Sequence, residues 1–398
     1  MDTPSKTLFA TEFRPVAPAP PLDAVEPLPC DRWLAASALQ KAIRRGDALT
    51  AGRAVRTLYR YEPRSAWRRL LVIAYEDIGI GALDAVVTTT VRGANAKARR
   101  EAGGDEASAL ATSQMLAAAP KDRSADLMFA IVLHHPALKS ARSRLRSVSV
   151  DRRLEWVADP TLSCCERALA AWHSSGVEER GEPRVGPGDL AGLMRTYAVL
   201  GVPEPLLEVV RLALKKTRAP FVLMLPLLWL EAAEGEIELV DSLLPPSGLI
   251  NGVPLCAIDK HTRLGRQAIG RFARENAEIA QFLKKHARGS RDAALGMAVF
   301  YADGALTRPT LQWRQSAEFT AAGVAADFHK VKVGASVGVE LVELVTAHIA
   351  DLDAIRLQML SRALAPSRAL QPQTDQAGRR GLGGDDAENL ENSPEDMG

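Results

Sequence analysis

The chain has 398 residues, 47% hydrophobic and 25% charged, a composition that fits two or three globular domains and excludes a chain too polar to fold. Its formal net charge is only +2, so a nucleic-acid function has to rest on local basic clusters. The charge is uneven, because residues 366–398 hold three arginines against seven acids, a local charge of −4 that leaves +6 for the remaining positions.

Cysteine usage and hydropathy predict a reduced, cytoplasmic protein. The four cysteines show no metal-ligand spacing, and the adjacent Cys164 and Cys165 cannot form an ordinary disulfide with each other. The N-terminus lacks the basic segment and apolar core of a secretory signal. The longest apolar run, 219–230, is interrupted by Pro226 and is too short to span a bilayer. We therefore expect no metal, no cofactor and no membrane partner.

Three amphipathic helices are predicted after a proline-rich arm, residues 1–30, that lacks helical periodicity and is expected to be disordered. The first helix runs from about 31 to 45, and Gly46 follows it where a left-handed C-terminal cap belongs. Asp47 is placed to cap the second helix. Pro63 lies in the first turn of the third, which ends at Gly79. Such short connections predict antiparallel neighbours.

The rest of the chain continues in helical periodicity, with few strand-like segments. Residues 328–333 are the best strand candidate, and the acidic tail, 366–398, is expected to be disordered. We predict an all-α fold with a first domain over 31–160, a middle region over 161–250 and a C-terminal region over 251–365. Further helices are predicted at about 82–100, 106–119, 122–135 (capped by Asp122), 151–175, 188–200, 204–217, 219–234, 260–287, 291–303 and 337–364.

Four sequence motifs that are typical of common enzyme classes do not occur in the chain. The chain contains no G-x-x-x-x-G-K-[ST] phosphate loop, no H-E-x-x-H, no G-x-G-x-x-G and no C-x-x-C. Because each of these chemistries requires its residues at that spacing, we expect no catalytic residues and no nucleotide hydrolysis by this chain.

Two adjacent carboxylates, Glu76 and Asp77, lie at the predicted end of the third helix, where the helix dipole disfavours negative charge. Arg68, Arg69 or an arginine of a neighbouring helix is the expected counter-charge, so we predict a structural salt-bridge role. A partner contact and a metal or catalytic role are the alternatives. Adjacent helical residues point about 100° apart, which makes convergence on one metal awkward.

A second row of polar residues is predicted to start a later helix. Lys260, Arg263 and Arg266 recur every three residues, a spacing that suits a nucleic-acid backbone near a helix N-terminus. Asp259 is a candidate N-cap, and His261 is either a core histidine or a phosphate contact. One histidine and one aspartate are too few for a metal site. A structural cap and salt-bridge network that includes Asp259, a phosphate contact and catalysis remain as alternatives.

Two segments, SALQKAIRRGD at 37–47 and WRRLLVIAYEDIG at 67–79, carry a resemblance to a known family. Over residues 37–86 the chain resembles the helical region C-terminal to the ATPase module of replication-associated recombination ATPases, clamp-loader-like AAA+ proteins. Residues 251–275 resemble uncharacterised bacterial and phage proteins that carry the same region. The resemblance implies a collar-like bundle, oligomerisation and a setting in DNA maintenance. We expect this collar without its ATPase module.

The favoured hypothesis is a non-enzymatic accessory protein of DNA replication, recombination or repair, associated with the nucleoid. Expected partners are DNA, a replication or recombination ATPase or clamp machinery, and further copies of the chain. Contacts to backbone phosphates position a protein without reading sequence. The expected DNA- or phosphate-binding residues are Arg44, Arg45, Arg68, Arg69, Lys260, His261, Arg263 and Arg266.

Two alternatives come from other functional classes. In the first, the chain is a protein–protein adaptor whose apolar region, 206–230, and acidic tail contact a polymerase, clamp or ATPase without DNA. In the second, it is a metal-dependent enzyme acting on nucleotides or DNA through Asp259, His261 and the Glu76–Asp77 pair.

Overall fold

A computed structural model describes residues 24–183, 186–233 and 235–364. It is 72% helical, with nineteen α-helices and only very small sheets in the described residues, so the all-α prediction is confirmed. The disorder predicted for residues 1–23 and 366–398 concerns positions outside the described ranges. Among the described helices, none combines the length and the apolar character that a bilayer crossing requires.

The described residues up to 233 form thirteen α-helices joined mostly by short turns. A π-helix, Ala74–Ile78, directly continues the third of them. The α-helices are α1 (Arg32–Arg44), α2 (Ala48–Tyr61), α3 (Pro63–Ile73), α4 (Leu83–Ala94), α5 (Ala96–Glu101), α6 (Asp105–Ala118), α7 (Ser124–His134), α8 (Lys139–Arg146), α9 (Val150–Ala158), α10 (Cys164–Ser175), α11 (Leu190–Val199), α12 (Glu204–Thr217) and α13 (Leu225–Ala232).

The described residues from 235 onward mix helices with two small antiparallel sheets. A second π-helix, Phe300–Gly304, continues one of the α-helices. The strands β1 (Ile237–Val240) and β4 (Thr310–Trp313) pair with each other, as do β2 (Leu249–Ile250) and β3 (Val253–Pro254). The α-helices are α14 (Arg263–Glu275), α15 (Ala277–His286), α16 (Arg291–Val299), α17 (Ser316–Lys330), α18 (Ala335–Ala347) and α19 (Ile349–Leu364).

The turns between the first three helices follow the sequence signals. Gly46 has φ of 75°, the left-handed conformation predicted for it. The Asp47 carboxylate accepts a 2.9 Å hydrogen bond from the backbone N–H of Thr50, which caps α2. Pro63 is the first residue of α3, where its missing N–H leaves no bond unmade. α2 then packs between α1 and α6.

Four long helices predicted from periodicity are interrupted, each at a residue that caps a helix or ends one. The helix predicted at 82–100 breaks at Asn95, whose side chain accepts from the N–H of Lys97 at 2.8 Å and caps α5. The Asn276 side chain accepts from the N–H of Ile279 at 3.0 Å, so α14 ends and α15 begins there. Ser163 and Glu166 form a capping box that starts α10. His348 separates α18 from α19. Asp122 is not the cap of α7, because that helix begins at Ser124 with Arg123 before it.

Two further predictions about local structure are wrong. The strand predicted at 328–333 is the end of α17 and the turn after it. The Phe328 ring packs so closely on Gly338 of α18 that a Cβ there would lie 2.3 Å from the ring. Residues 24–30 are not a disordered arm, because Val25 and Leu28 are buried and the hydroxyl of Thr57 donates to the Leu28 carbonyl at 3.0 Å.

Sequence-distant parts of the chain share one continuous apolar core, which includes buried residues from Val25 to Leu360. The N–H of Leu311 donates to the Lys121 carbonyl at 2.8 Å, and the N–H of Arg308 donates to the Arg44 carbonyl at 2.7 Å. These bonds place the second π-helix beside the C-terminal end of α1. The domain boundaries given above stay predictions.

A candidate site between two π-helices

Arg44, the last residue of α1, joins the two π-helices. Its Nε lies 2.6 Å from Asp77 Oδ1 and its Nη2 2.9 Å from Glu76 Oε1, both in the first π-helix. Its Nη1 donates to the Gly304 carbonyl of the second at 2.8 Å. Arg44 is 1% exposed, and these two carboxylates offset the cost of burying its charge. π-helical turns are rare and often mark functional sites.

A second arginine completes the charge balance around Asp77. Arg123 Nε lies 3.2 Å from Asp77 Oδ1, and its guanidinium also pairs with Asp126 in the first turn of α7. The Gln40 amide donates to Asp77 Oδ2 at 2.9 Å. Asp77 is fully buried, and these three groups supply the hydrogen bonds that a buried carboxylate requires.

The second π-helix has its own pair of arginines. Arg45 Nη2 lies 2.5 Å from Asp303 Oδ1, and Arg356 Nη1 of α19 lies 2.8 Å from Asp303 Oδ2. Arg356 also pairs with Asp353 at 2.8 Å and donates to the Ile258 carbonyl at 3.0 Å. Two consecutive arginines at the end of α1 therefore pair with the aspartates of the two π-helices, Arg44 with Asp77 and Arg45 with Asp303.

Asp259 forms a salt bridge, one of the two structural roles predicted for it, and it does not cap the helix that follows. Its carboxylate forms a buried ion pair with Lys41 of α1 and accepts from the N–H of His261 at 3.0 Å. The residue that caps α14 is Thr262, whose hydroxyl accepts from the N–H of Gly265 at 2.9 Å. A Cβ at Gly265 would lie 1.8 Å from the Asp259 carbonyl oxygen, so this approach requires glycine.

Glu76 and Asp77 have the structural salt-bridge role predicted for them, with partners from other helices. The counter-charges are Arg44 and Arg123, whereas Arg68 is exposed and donates only to the Thr217 carbonyl, at 3.4 Å. The prediction that Arg44 contacts DNA is wrong, because its guanidinium is fully used inside the protein.

The other predicted DNA contacts divide by exposure. Arg263, Arg266 and His261 are exposed and Arg69 is half-buried. Arg45 is largely buried against Asp303.

The ring of Phe300 lies among three cations. The guanidinium carbons of Arg44 and Arg123 are each 5.3 Å from the ring centroid, and Lys260 Nζ is 4.6 Å from it. Next to this ring, the Tyr301 hydroxyl donates to Asp327 Oδ2 at 2.7 Å. The second π-helix thus presents an aromatic surface to cations and a phenol to a carboxylate.

Burial and like charges shift several pKa values in this cluster. Loss of water and the nearby Asp77 and Asp126 raise the pKa of Glu76 to about 7, although Arg44 opposes the shift. Loss of water lowers the pKa of Lys260 to about 8. Ionisable groups with shifted pKa values in one place are typical of functional sites, although structural ion-pair networks have them too.

Several members of the cluster were not identified from the sequence. Apart from Gln40 and Lys41 of α1, they come from segments whose contact with α1 depends on the tertiary fold. One signal was readable: Tyr301-x-Asp303 in the second π-helix repeats Tyr75-x-Asp77 in the first. The residues added by the structure are Gln40, Lys41, Arg123, Asp126, Phe300, Tyr301, Asp303, Asp327 and Arg356.

One sequence string that resembles a hydrolase motif has the wrong surroundings. Residues 334–338 read G-x-S-x-G, but the nucleophile elbow requires a strand before the serine and a helix after it. Here α17 and a turn precede the string, and Ser336 is exposed in the first turn of α18. Within the described ranges, no group of three or more His, Cys, Asp or Glu side chains is placed to hold a metal ion.

No family model, curated protein or solved structure matches this chain. The resemblance of residues 37–86 to recombination ATPases therefore stays a prediction.

Proposed function

We propose that this chain is a non-enzymatic accessory protein of DNA replication, recombination or repair that contacts backbone phosphates through one basic face. The basic face consists of Arg68 and Arg69 of α3 with His261, Arg263 and Arg266 at the start of α14. One observation supports the proposal: none of these four arginines forms an ion pair with a described residue, whereas the buried arginines beside them are all neutralised.

The charge of Arg69 in the first part acts on His261 in the second, although nearly two hundred residues separate them in sequence. Loss of water lowers the pKa of His261, and Lys41, Lys260 and Arg69 lower it further against the opposing effect of Asp259. Cations that are exposed and unpaired release counterions when they meet phosphates, and this release supplies most of non-specific DNA affinity. Lys260 is left out of the face because its side chain packs against protein.

The experiment is DNA retention measured by fluorescence anisotropy between 50 and 200 mM salt, with the double variant Arg263→Ala/Arg266→Ala. The slope of log K against log [salt] is negative, and the loss of two phosphate contacts should make it less negative by about 1.8. The matched control is Arg211→Ala/Arg271→Ala, because Arg211 pairs with Glu204 at 2.8 Å and Arg271 with Glu275 at 2.6 Å. An unchanged slope in the first variant, or no retention of wild type at 50 mM salt, contradicts the proposal.

The adaptor hypothesis places its partner contact on the apolar region 206–230, and most of that region is buried. Most of the large apolar residues of 206–230, including Leu207, Leu223 and Leu228, are buried in the core and are not available to a partner.

A further inference from the structure

A groove of about 860 Å³ lies where α2, the start of α14 and the end of α19 meet residues 27–31. Leu264 of α14 and Leu364 of α19 are half-buried in its walls. Arg60 of α2 and Arg263 of α14 also line it, and both are exposed. The groove therefore suits a ligand that combines an apolar group with negative charge, since its walls offer surroundings for both.

The two arginines of the groove have no acidic partner, although other arginines of the same helices do. On α2, Arg56 lies 2.8 Å from the Glu106 carboxylate. On α14, Arg271 pairs with an acid of its own helix at 2.6 Å. Arg60 and Arg263 form no ion pair with any described residue, so both guanidinium groups can bind carboxylates that come from elsewhere.

One acid also lines the groove, but its carboxylate is already used. Asp31 Oδ1 accepts hydrogen bonds from the backbone N–H groups of Trp33 and Leu34, both at 2.8 Å, and thereby caps α1. With two arginines and one aspartate, the lining has a net charge of +1. The groove therefore favours an anionic occupant.

A strongly acidic segment follows the described residues, which end at Leu364 in the wall of this groove. Residues 381–398, the acidic segment, contain six acids and no base, and Leu390 lies among them. Residues 1–23, which precede the opposite wall, contain three acids and two bases, so charge favours the acidic segment as the occupant. The linking residues 365–380 span at most about 56 Å, which is enough for a return to the groove. Such a tether gives the segment an effective concentration on the order of millimolar.

We propose that the acidic segment docks in this groove, with Leu390 against its apolar walls and carboxylates on Arg60 and Arg263. Because Arg263 also belongs to the basic face, the docked segment competes with phosphates for that arginine. The docking does not depend on DNA binding, whereas the competition rests on the proposed function. Salt weakens the docking, since ions screen attraction between exposed charges.

The docking is tested in the full chain with the photoreactive substitution Leu390→p-benzoylphenylalanine, and peptide mass spectrometry locates the adducts after irradiation. We expect intramolecular adducts in the groove segments 27–34, 57–61 and 263–267. Their yield should fall severalfold at high salt and in Arg60→Ala/Arg263→Ala. The control Arg211→Ala/Arg271→Ala, whose arginines are paired within their own helices, should leave the yield unchanged.

Three outcomes overturn the docking. They are adducts confined to other segments, adducts whose yield rises with protein concentration because a second copy occupies the groove, and the absence of adducts.

The competition is tested by removing a positive charge that lies outside the basic face. Arg60→Ala should release the acidic segment and raise DNA affinity severalfold at low salt in the anisotropy assay. Loss of a cation without such release would lower the affinity or leave it unchanged, and either result overturns the competition. If no form of the chain retains DNA, the proposed function fails, while the adducts still decide the docking.

A second variant removes charge from the acidic segment itself. Its neutralisation should raise DNA affinity more in the wild-type background than together with Arg60→Ala, because the groove is already weakened there. Equal gains in both backgrounds would reflect net charge alone and overturn the competition. The substitutions are Asp385→Asn, Asp386→Asn, Glu388→Gln and Glu391→Gln.

Discussion

The two π-helices share a local pattern and differ in what surrounds them. Each is five residues long and continues an α-helix. In each, a tyrosine precedes an aspartate by two residues: Tyr75 and Asp77 in the first, Tyr301 and Asp303 in the second. Each aspartate pairs with one of two consecutive arginines at the end of α1. The same backbone device thus holds two distant segments against a single helix end.

The two π-helices differ in how deeply their tyrosines are buried. Tyr75 is fully buried, and its hydroxyl lies 3.1 Å from that of Thr90 and donates to the Val209 carbonyl at 3.2 Å. Tyr301 is half-buried and its partner is a carboxylate that solvent also reaches. The first π-helix is therefore built for stability, whereas the second leaves ionisable groups accessible. The following predictions test this difference, starting with the largest effect.

Removing the Asp77 carboxylate of the first π-helix should destabilise the fold more than any other single change proposed in this section. Asp77→Ala leaves Arg44 without its closest acid and Arg123 with Asp126 alone, and breaking a buried pair in this way costs about 3–5 kcal/mol. Urea unfolding followed by circular dichroism measures the loss. The control Glu101→Ala removes an exposed i,i+4 pair with Lys97, 3.8 Å long, and should cost about 0.5 kcal/mol or less. Equal losses would show that burial does not set the strength of these pairs.

The equivalent change in the second π-helix should cost less. In Asp303→Ala, Arg356 keeps Asp353 and the Ile258 carbonyl, and Arg45 keeps the Pro245 carbonyl at 2.7 Å. We expect a loss of about 2–3 kcal/mol in the same unfolding assay, since remaining partners reduce the penalty of unpaired charge. A loss as large as that of Asp77→Ala would remove the distinction between the two copies.

Local signals in the sequence identified much of the helical framework. Gly46, Asp47 and Pro63 act through their own backbone or nearest neighbours, so their roles are readable without the fold. Asn276 was missed inside a predicted 28-residue helix at 260–287, although asparagine is a strong N-cap and marks the break.

The candidate site was less predictable because its pairings are tertiary. Arg44 has the same sequence character as Arg263, yet one is buried and neutralised while the other is exposed. The difference arises from carboxylates that reach Arg44 from another helix, and periodicity within a helix contains no such information. The π-helical turns were read as ends of α-helices for the same reason, since the packing around Arg44 and Arg45 accompanies the extra residue in each turn.

Protonation of Glu76 should make stability depend on pH in the opposite sense to an ordinary ion-paired acid. The pKa of Glu76 is raised from 4.5 to about 7, chiefly by loss of water and then by Asp77 and Asp126, so the folded state binds its proton more tightly than the unfolded state. Its contribution is fully present below about pH 4.5 and is lost as the pH rises to about 7. The loss is on the order of 1–2 kcal/mol, because the Glu76 side chain is partly exposed and water screens its charge.

Glu76→Gln isolates that contribution, because glutamine does not titrate in this range. Urea titration at pH 4 and pH 8 measures the unfolding free energy of wild type and of Glu76→Gln. Relative to wild type, the variant should be more stable at pH 8 than at pH 4. A difference that is the same at both pH values would mean that Arg44 and Arg123 keep Glu76 ionised throughout.

The smallest expected effect comes from matched tyrosine substitutions. Tyr75→Phe removes a hydroxyl from a buried site where water cannot replace it, and the Val209 carbonyl then loses that partner, at a cost of about 1 kcal/mol. Tyr301→Phe exposes Asp327 to water, which restores the lost hydrogen bond, so we expect about 0.5 kcal/mol or less. Thermal unfolding of both variants in one buffer gives the comparison. A larger loss for Tyr301→Phe would place the Tyr301–Asp327 pair in the structural framework, and the second π-helix would then serve the same purpose as the first.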